Sequence, residues 1–168
     1  AKPCLLLCSL FPEDAEIPIK TLIQLAIGSQ LVHGGRSRVP AMVDILKSSS
    51  LLLESKYDEH FKLHDIIRDV ARSIAVKDPK YAFLFLRCGS QLPANSDYDY
   101  GTRKVLHLQI EKNDFRFRDD LVCPLLHTLS LRSADQVPHN YHTKKISQWT
   151  LNYCTEKNNE QDVFTSVQ

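Results

Sequence analysis

Hydrophobic positions recur at helical spacing through the first 50 residues. Residues 4–11 are apolar on every side, which favours a short buried helix that Pro12 ends. Between residues 19 and 27 the apolar positions recur at i, i+3, i+4, i+7 and i+8, so a second helix is predicted to run to about Gly28. A third helix is predicted to open at Pro40.

The period changes after the third helix. Residues 51–53 are typical of a strand, residues 56–59 of a turn, and residues 61–63 of a returning strand with alternating polarity. Three helices followed by a β-hairpin is the element order of a winged-helix domain. The pattern therefore predicts a helical bundle with a hairpin in this part of the chain.

The helix after the hairpin has the clearest amphipathic pattern. At about 100° per residue, one arc of this helix is apolar and the opposite arc is charged. The apolar arc holds Ile66, Ile67, Val70, Ala71 and Ile74, and the charged arc holds Asp65, Arg68, Asp69 and Arg72. The helix is predicted to turn its first residues back toward the hairpin.

Candidate binding residues stand at the start of this helix. A helix N-terminus presents unpaired N–H groups and a positive potential, so it suits an anion. Asp65 is expected to cap the helix, and His64 is expected to be a neutral imidazole that donates one hydrogen bond to a phosphate oxygen. A capping aspartate beside a surface histidine is the alternative without a ligand.

An internal repeat follows a stretch rich in Gly, Ser, Pro, Asn and Asp between Cys88 and Lys104. Its two copies are Val105-x-x-Leu108-x-Ile110-x-x-Asn113-x-Phe115 and, 21 residues later, Leu126-x-x-Leu129-x-Leu131. This period is typical of leucine-rich repeats, in which each copy supplies one short strand. Residues 105–110 and 126–131 are therefore predicted to form adjacent parallel strands.

These patterns give an α+β fold class and a four-part domain map. Residues 1–78 are predicted to form a winged-helix domain, and residues 79–104 a connecting segment. Residues 105–134 are predicted to form two incomplete leucine-rich repeats that begin an α/β solenoid. Residues 135–168 carry few regularly spaced apolar residues and are predicted to be a poorly ordered tail.

Composition narrows the classes of partner. The chain is 43% hydrophobic with a formal net charge of +1, so it can bury a core but does not attract nucleic acid or an anionic membrane. The longest apolar runs are too short to span a bilayer. The five cysteines are odd in number and irregularly spaced, which favours reduced thiols in the cytosol.

No enzymatic motif stands in the sequence. It contains no G-x-x-x-x-G-K-[ST], G-x-G-x-x-G, G-x-S-x-G or H-E-x-x-H, so no catalytic residue is assigned. Cys4 with Cys8, and His60 with His64, have the spacing of two metal ligands on one helical turn. No second pair stands at finger-like spacing, so no metal site is predicted.

Four segments carry a family resemblance, in order along residues 1–132. CLLLCSLFPED at residues 4–14 looks like the segment CFLLCSLFPED, Leu63-His64-Asp65 looks like an MHD motif, and IIRDVA at residues 66–71 looks like VVRDVA. Cys123 begins a stretch similar to CPxLxxLxL. Together they resemble plant nucleotide-binding leucine-rich-repeat disease-resistance proteins of the coiled-coil class.

The resemblance implies the regulatory part of an innate immune receptor. His64 and Asp65 would contact ADP or ATP held mainly by a nucleotide-binding domain upstream, and the isolated chain would bind no nucleotide of its own. The partners implied are that upstream domain, further leucine-rich repeats downstream and other proteins, in the cytoplasm or the nucleus. Two alternatives remain: a DNA-binding winged-helix protein, and a truncated scaffold that does not signal.

Overall fold

A computed structural model of the chain describes residues 1–34, 36–94, 96–112, 114–118, 120–133, 150–155 and 164–165. The chain divides into two compact units, Ala1–Tyr81 and Ala82–Gln168. In the described residues the fold is mixed α/β, with four helices and two small sheets. No helix among these residues is long and apolar enough to cross a membrane.

The first unit alternates helices with short strands. Its helices are α1 (Lys2–Cys8), α2 (Ile19–Gly28), α3 (Arg38–Ser48) and α4 (Asp65–Lys77). Its strands are β1 (Ile17–Pro18), β2 (Leu53–Glu54) and β3 (His60–Lys62), arranged β1-β3-β2 with both pairs antiparallel. The predicted hairpin is confirmed, although β2 begins where the strand was expected to end.

Several elements of the first unit differ from the prediction, and α3 begins at Arg38, two residues before Pro40. The helix predicted for residues 4–11 starts earlier and ends earlier, because Pro3 suits the first turn and Ser9 closes the helix as its C-cap. β1 was not predicted at all. It pairs Ile17 with Phe61 on the edge of β3, and two residues are too short a run to show an alternation.

α4 packs against α1 with a face that coincides only in part with the predicted apolar arc. Ala71 and Ala75 are fully buried, and Arg68 of the charged arc is only 7% exposed. Ile66 and Val70 of the apolar arc are 65% and 52% exposed. The buried face is therefore made of small side chains, which allow the helices to approach closely, and of an arginine whose charge finds an acidic partner.

The second unit is a ladder of strands. Its strands are β4 (Phe83–Cys88), β5 (Val105–Ile110), β6 (Thr128–Ser133), β7 (Thr150–Thr155) and β8 (Phe164–Thr165). They are adjacent in chain order; the first four run parallel and β8 is antiparallel to β7. The prediction that the two repeat copies form adjacent parallel strands is confirmed by β5 and β6.

The ladder extends beyond both ends of the predicted repeats. β4 lies within the expected connecting segment 79–104, because its apolar run pairs with β5 along its whole length. β7 and β8 lie within residues 135–168, where a poorly ordered tail was expected. The remaining residues of that tail, and the repeat asparagine Asn113, lie outside the described residues.

The register between the two copies also differs from the prediction. The motif alignment pairs Leu108 with Leu129, whereas the structure pairs Leu106 with Leu129 and Leu108 with Leu131. Side chains alternate between the two faces of a strand, so a shift by two residues keeps the same face inward. Hydrophobic alternation therefore predicts the buried face but cannot choose between the two registers.

One face of the ladder forms the core of the second unit. Leu84, Leu106 and Leu129 lie side by side on β4, β5 and β6, and Leu86, Leu108 and Leu131 form the next row. Side chains from the segments between strands cover this face: Leu92, Tyr100, Phe115, Cys123 and Leu126. β4, β5 and β6 thus contribute equivalent positions to one continuous core.

Candidate functional site

The candidate residues lie at the junction of β3 and α4. His64 is the N-cap of α4, with extended backbone angles (φ −62°, ψ 141°), and Asp65 is the first helical residue. His64 therefore occupies the N-cap position, while Asp65, which was expected to cap the helix, accepts the Ile66 N–H from the first helical position. Asp65 still lies in the first turn, where a carboxylate interacts favourably with the helix dipole.

The ring of His64 faces the carboxylate of Asp65. Nδ1 of His64 contacts Oδ1 of Asp65, which requires a hydrogen on Nδ1. The backbone N–H of Ile66 lies 2.7 Å from Oδ1 and 3.3 Å from Nδ1, so its better acceptor is the carboxylate. Both hydrogens therefore point at Asp65, and this arrangement fixes the proton of the imidazole on Nδ1.

This arrangement changes the expected chemistry of the ring. With its proton on Nδ1, a neutral imidazole presents a lone pair at Nε2 and cannot donate there. Nε2 donates to an anion only when the ring is an imidazolium.

Both side chains are open to a ligand. The side chains of His64 and Asp65 are 54% and 59% exposed. In the part of the chain that the structure describes, Nε2 of His64 has no hydrogen-bond partner. The site therefore presents one ring nitrogen and the start of a helix to solvent.

Two arginines behind this site bind α4 to the end of α1. The guanidinium of Arg68 contacts Glu13, in the turn after α1, and also Asp69 beside it on α4. Arg72 donates from Nε to the carbonyl of Ser9 at 2.8 Å. The segment CLLLCSLFPED therefore meets α4, more than 50 residues away in sequence, through Arg68 of the segment IIRDVA and through Arg72, which follows that segment.

The charge of Arg68 is retained despite its position. Burial of the guanidinium opposes the charge, but the hydrogen bonds with Glu13 and Asp69 outweigh burial and raise the pKa of Arg68. Sequence analysis missed this role because Arg68 falls on the charged arc of α4, which a helical projection assigns to solvent. No sequence signal identified Glu13 as its partner.

The cysteine and histidine pairs do not form a metal site in the described residues. No group of three or more potential ligands occurs there. Cys4 and Cys8 are fully buried, and burial raises the pKa of both thiols. Nδ1 of His60 lies 2.6 Å from the carbonyl of Asp58, within the turn of the hairpin.

Basic side chains near α3 and the hairpin are bound to carboxylates. Lys47 of α3 forms a 2.8 Å ion pair with Glu54, and Lys62 of β3 forms a 3.1 Å ion pair with Glu16. The pKa of Glu16 is lowered, first by a hydrogen bond from Ser55 and then by Lys62. These lysines are therefore less available to nucleic-acid phosphates than unpaired ones would be.

Comparison with known proteins identifies relatives of one kind. A protein of Arabidopsis thaliana named as a disease resistance protein is 32% identical over 141 residues, which cover 78% of this chain and 16% of the relative. Two other Arabidopsis thaliana disease resistance proteins, SUMM2 and RFL1, are 38% identical over 81 residues and 41% identical over 78 residues. These two matches cover 44% and 42% of this chain.

The matched region is a small part of each relative. It spans 9% of SUMM2 and RFL1 and 16% of the relative with the longest match. No family model matches the chain.

Proposed function

Because this chain belongs to the plant disease resistance proteins, we propose that it is the regulatory junction of an immune receptor. In this proposal the first unit senses whether ADP or ATP is bound by a nucleotide-binding domain elsewhere in the receptor. The second unit begins the leucine-rich repeats that restrain the receptor and contact its ligands.

The element order supports a winged-helix assignment for the first unit. The sequence α1-β1-α2-α3-β2-β3-α4 places a short strand before the second helix and a hairpin after the third, with β1 on the hairpin edge. The second unit supports a repeat assignment in the same way. Four parallel strands with leucines in equivalent rows are what stacked leucine-rich repeats produce.

The observation that carries the nucleotide proposal is the exposed Nε2 of His64 at the start of α4. Its ring is held by Asp65 through Nδ1, so its second nitrogen has a defined direction. Donation from an imidazolium Nε2 to an ADP phosphate would be a charge-assisted hydrogen bond. Such bonds contribute about 1.5–3 kcal/mol, which corresponds to a roughly ten- to hundredfold tighter resting state.

The experiment is nucleotide retention and spontaneous signalling in the complete receptor. His64→Ala is expected to weaken ADP retention roughly ten- to hundredfold and to shift the population toward the signalling form. Asp65→Val is expected to act in the same direction, by about 1 kcal/mol, because the ring and the Ile66 N–H lose their acceptor. Normal ADP retention in His64→Ala would contradict the proposal.

The isolated chain is expected to bind ADP barely, if at all, because the main phosphate cradle lies outside it. We assign it no catalytic activity of its own and place the receptor in the cytoplasm or the nucleus. The DNA-binding alternative is favoured by the element order alone. A gel-shift titration that shows salt-dependent binding of the chain to duplex DNA would revive that alternative.

A further inference from the structure

The contact between α4 and α1 has two polar connections one helical turn apart. Arg68, whose side chain is 8% exposed, reaches Glu13 in the turn that follows α1. Arg72 reaches the carbonyl of Ser9, which lies beyond the last turn of α1 and so outside its hydrogen-bond ladder. A positive charge there also interacts favourably with the C-terminal end of the α1 dipole.

The fully buried apolar side chains of α4 are small. They are those of Ala71 and Ala75, while Ile67 and Ile74 are half-buried. Single methyl groups form shallow ridges, so they allow close approach but offer little resistance to sliding along the helix axis. The directional contacts of Arg68 and Arg72 therefore set where α4 stops along α1.

The position of α4 along its axis is also the position of His64. His64 precedes Arg68 by one helical turn, which is about 6 Å at the rise of an α-helix. A hydrogen bond weakens steeply once its heavy atoms separate beyond about 3.2 Å. A slip of α4 by a fraction of a turn would therefore break a contact between Nε2 and a phosphate oxygen.

We propose that Arg68 and Arg72 are positioning residues of the nucleotide switch, which hold the His64 end of α4 at the phosphate by binding Glu13 and Ser9. This inference rests on the proposed contact between His64 and the nucleotide. It adds that the resting state depends on a turn that does not touch the nucleotide. The turn after α1 then acts as the fixed point from which α4 is held.

A matched pair of isosteric variants tests the proposal in the complete receptor. Glu13→Gln and Asp69→Asn each remove one carboxylate from Arg68, and both acids are well exposed, at 63% and 68%. Each variant leaves Arg68 one acidic partner, so neither strands its buried charge. Only Glu13 connects α4 to the turn after α1.

The rate of ADP release is the main readout. Glu13→Gln is expected to release ADP about tenfold faster, as for the loss of one charge-assisted contact, and Asp69→Asn less than about twofold faster. Because both acids are exposed, the two variants should lower the thermal unfolding midpoint of the receptor by similar small amounts. Equal ADP release from the two variants would overturn the positioning role.

A second measurement separates positioning from general loosening. In a His64→Ala background, Glu13→Gln should add nothing further, because the contact that Arg68 and Glu13 hold in position is already gone. Additive effects of the two changes would show that the Arg68–Glu13 contact slows ADP release by another route. Normal ADP release in His64→Ala itself would overturn the proposed function, whereas an effect of His64→Ala without an effect of Glu13→Gln overturns the positioning role alone.

Discussion

The two units of the chain hold their buried side chains by different means. In the first unit, fully buried residues such as Leu6, Leu22 and Phe61 come from two helices and a strand. Ion pairs, such as Arg68 with Glu13, connect different segments of this unit. In the second unit, Leu106 and Leu129 are neighbours on equivalent strands, and backbone hydrogen bonds set their spacing. The first core is specified by individual contacts, and the second by repetition.

The difference shows what each kind of core demands of its sequence. A contact such as Arg68 with Glu13 has no substitute elsewhere in the first unit, so a change there is local and specific. A leucine in a row of the second unit supports the strands on both sides of it. Damage to one strand is therefore expected to reach its neighbours, as it does in stacked-repeat proteins.

The largest effect is expected for Leu106→Ala, a variant that tests whether such damage stays within the second unit. Leu106→Ala removes a fully buried side chain that lies between Leu84 and Leu129, and is expected to cost about 2–5 kcal/mol. Hydrogen exchange should show lost protection in β4, β5 and β6 but unchanged protection in α1 and α4. Leu125→Ala, at a 48% exposed leucine of the same unit, is the control and should change little.

Loss of protection in both units after Leu106→Ala would contradict the separate unfolding of the two units, because it would make the two cores one cooperative unit. Retained protection in β4 and β6 would contradict the expectation that neighbouring strands depend on one another. The ladder would then not transmit damage between strands.

Thiol reactivity can follow the unfolding of each unit separately, since each unit contains a pair of buried cysteines. Burial raises the pKa of Cys88 and of Cys123 from 9.0 to about 11, so at pH 8 their thiolate fractions should be about a hundredfold lower than that of an ordinary thiol. Cys4 and Cys8 report on the first unit. Alkylation along a urea series, with Cys154 replaced by serine, is expected to show two midpoints, one for each pair.

The same pKa shifts predict an alkaline weakness of the second unit. A thiol whose pKa is raised by folding favours the folded state below its unfolded pKa. Its contribution is lost as the pH rises from about 9 toward 11. Cys88→Ala should make the second unit less sensitive to pH in that window.

In the alkylation series, a single urea midpoint for all four thiols would contradict the separate unfolding of the two units.

A smaller effect is expected at the contacts specific to the first unit. Arg72→Met keeps an apolar stem but loses the hydrogen bond to the Ser9 carbonyl, and should destabilise this unit by about 1–3 kcal/mol. Lys47→Met removes the pair with exposed Glu54 and is the control, with an expected cost of about 0–1 kcal/mol. Urea unfolding of both variants provides the measurement; equal costs would mean that the α1–α4 contact is not special.

The smallest expected effect is a gain in stability at the end of α3. Ser50 has a positive φ of 56°, and its N–H and that of Leu51 donate to the carbonyls of Lys47 and Leu46, both at 2.9 Å. Glycine prefers this position, so Ser50→Gly should stabilise the first unit by about 0.5 kcal/mol. Ser49→Gly, at a negative φ, should not. A loss of stability in Ser50→Gly would contradict the strain argument.

Sequence reasoning reached the elements of both units more readily than their contacts. The spacing of apolar residues predicted α2, α4 and the hairpin, since each has a period of its own. It missed β1, which is too short to show a period, and it placed β4 within a connecting segment because strand pairing is not local. The candidate site residues His64 and Asp65 were predicted from a motif at a helix start, and that assignment stays a prediction.

What the sequence could not supply was the choice among physically similar alternatives. A helical projection cannot show that Arg68 is buried and Ile66 exposed, because the partner helix decides which face is covered. Alternation cannot show that Leu106, and not Leu108, pairs with Leu129. The proton on Nδ1 of His64 likewise depends on the position of Asp65, which only coordinates provide.

The spacing of the ladder has a consequence for how such genes change. Leu84 and Leu106 are 22 residues apart, Leu106 and Leu129 are 23 apart, and Leu129 and Leu151 are again 22 apart, yet all are paired in one row. One extra codon between two strands is thus accommodated without displacing any leucine. Insertions and deletions between strands are therefore expected to be tolerated. A single codon inserted within a strand would instead turn its leucines to the opposite face.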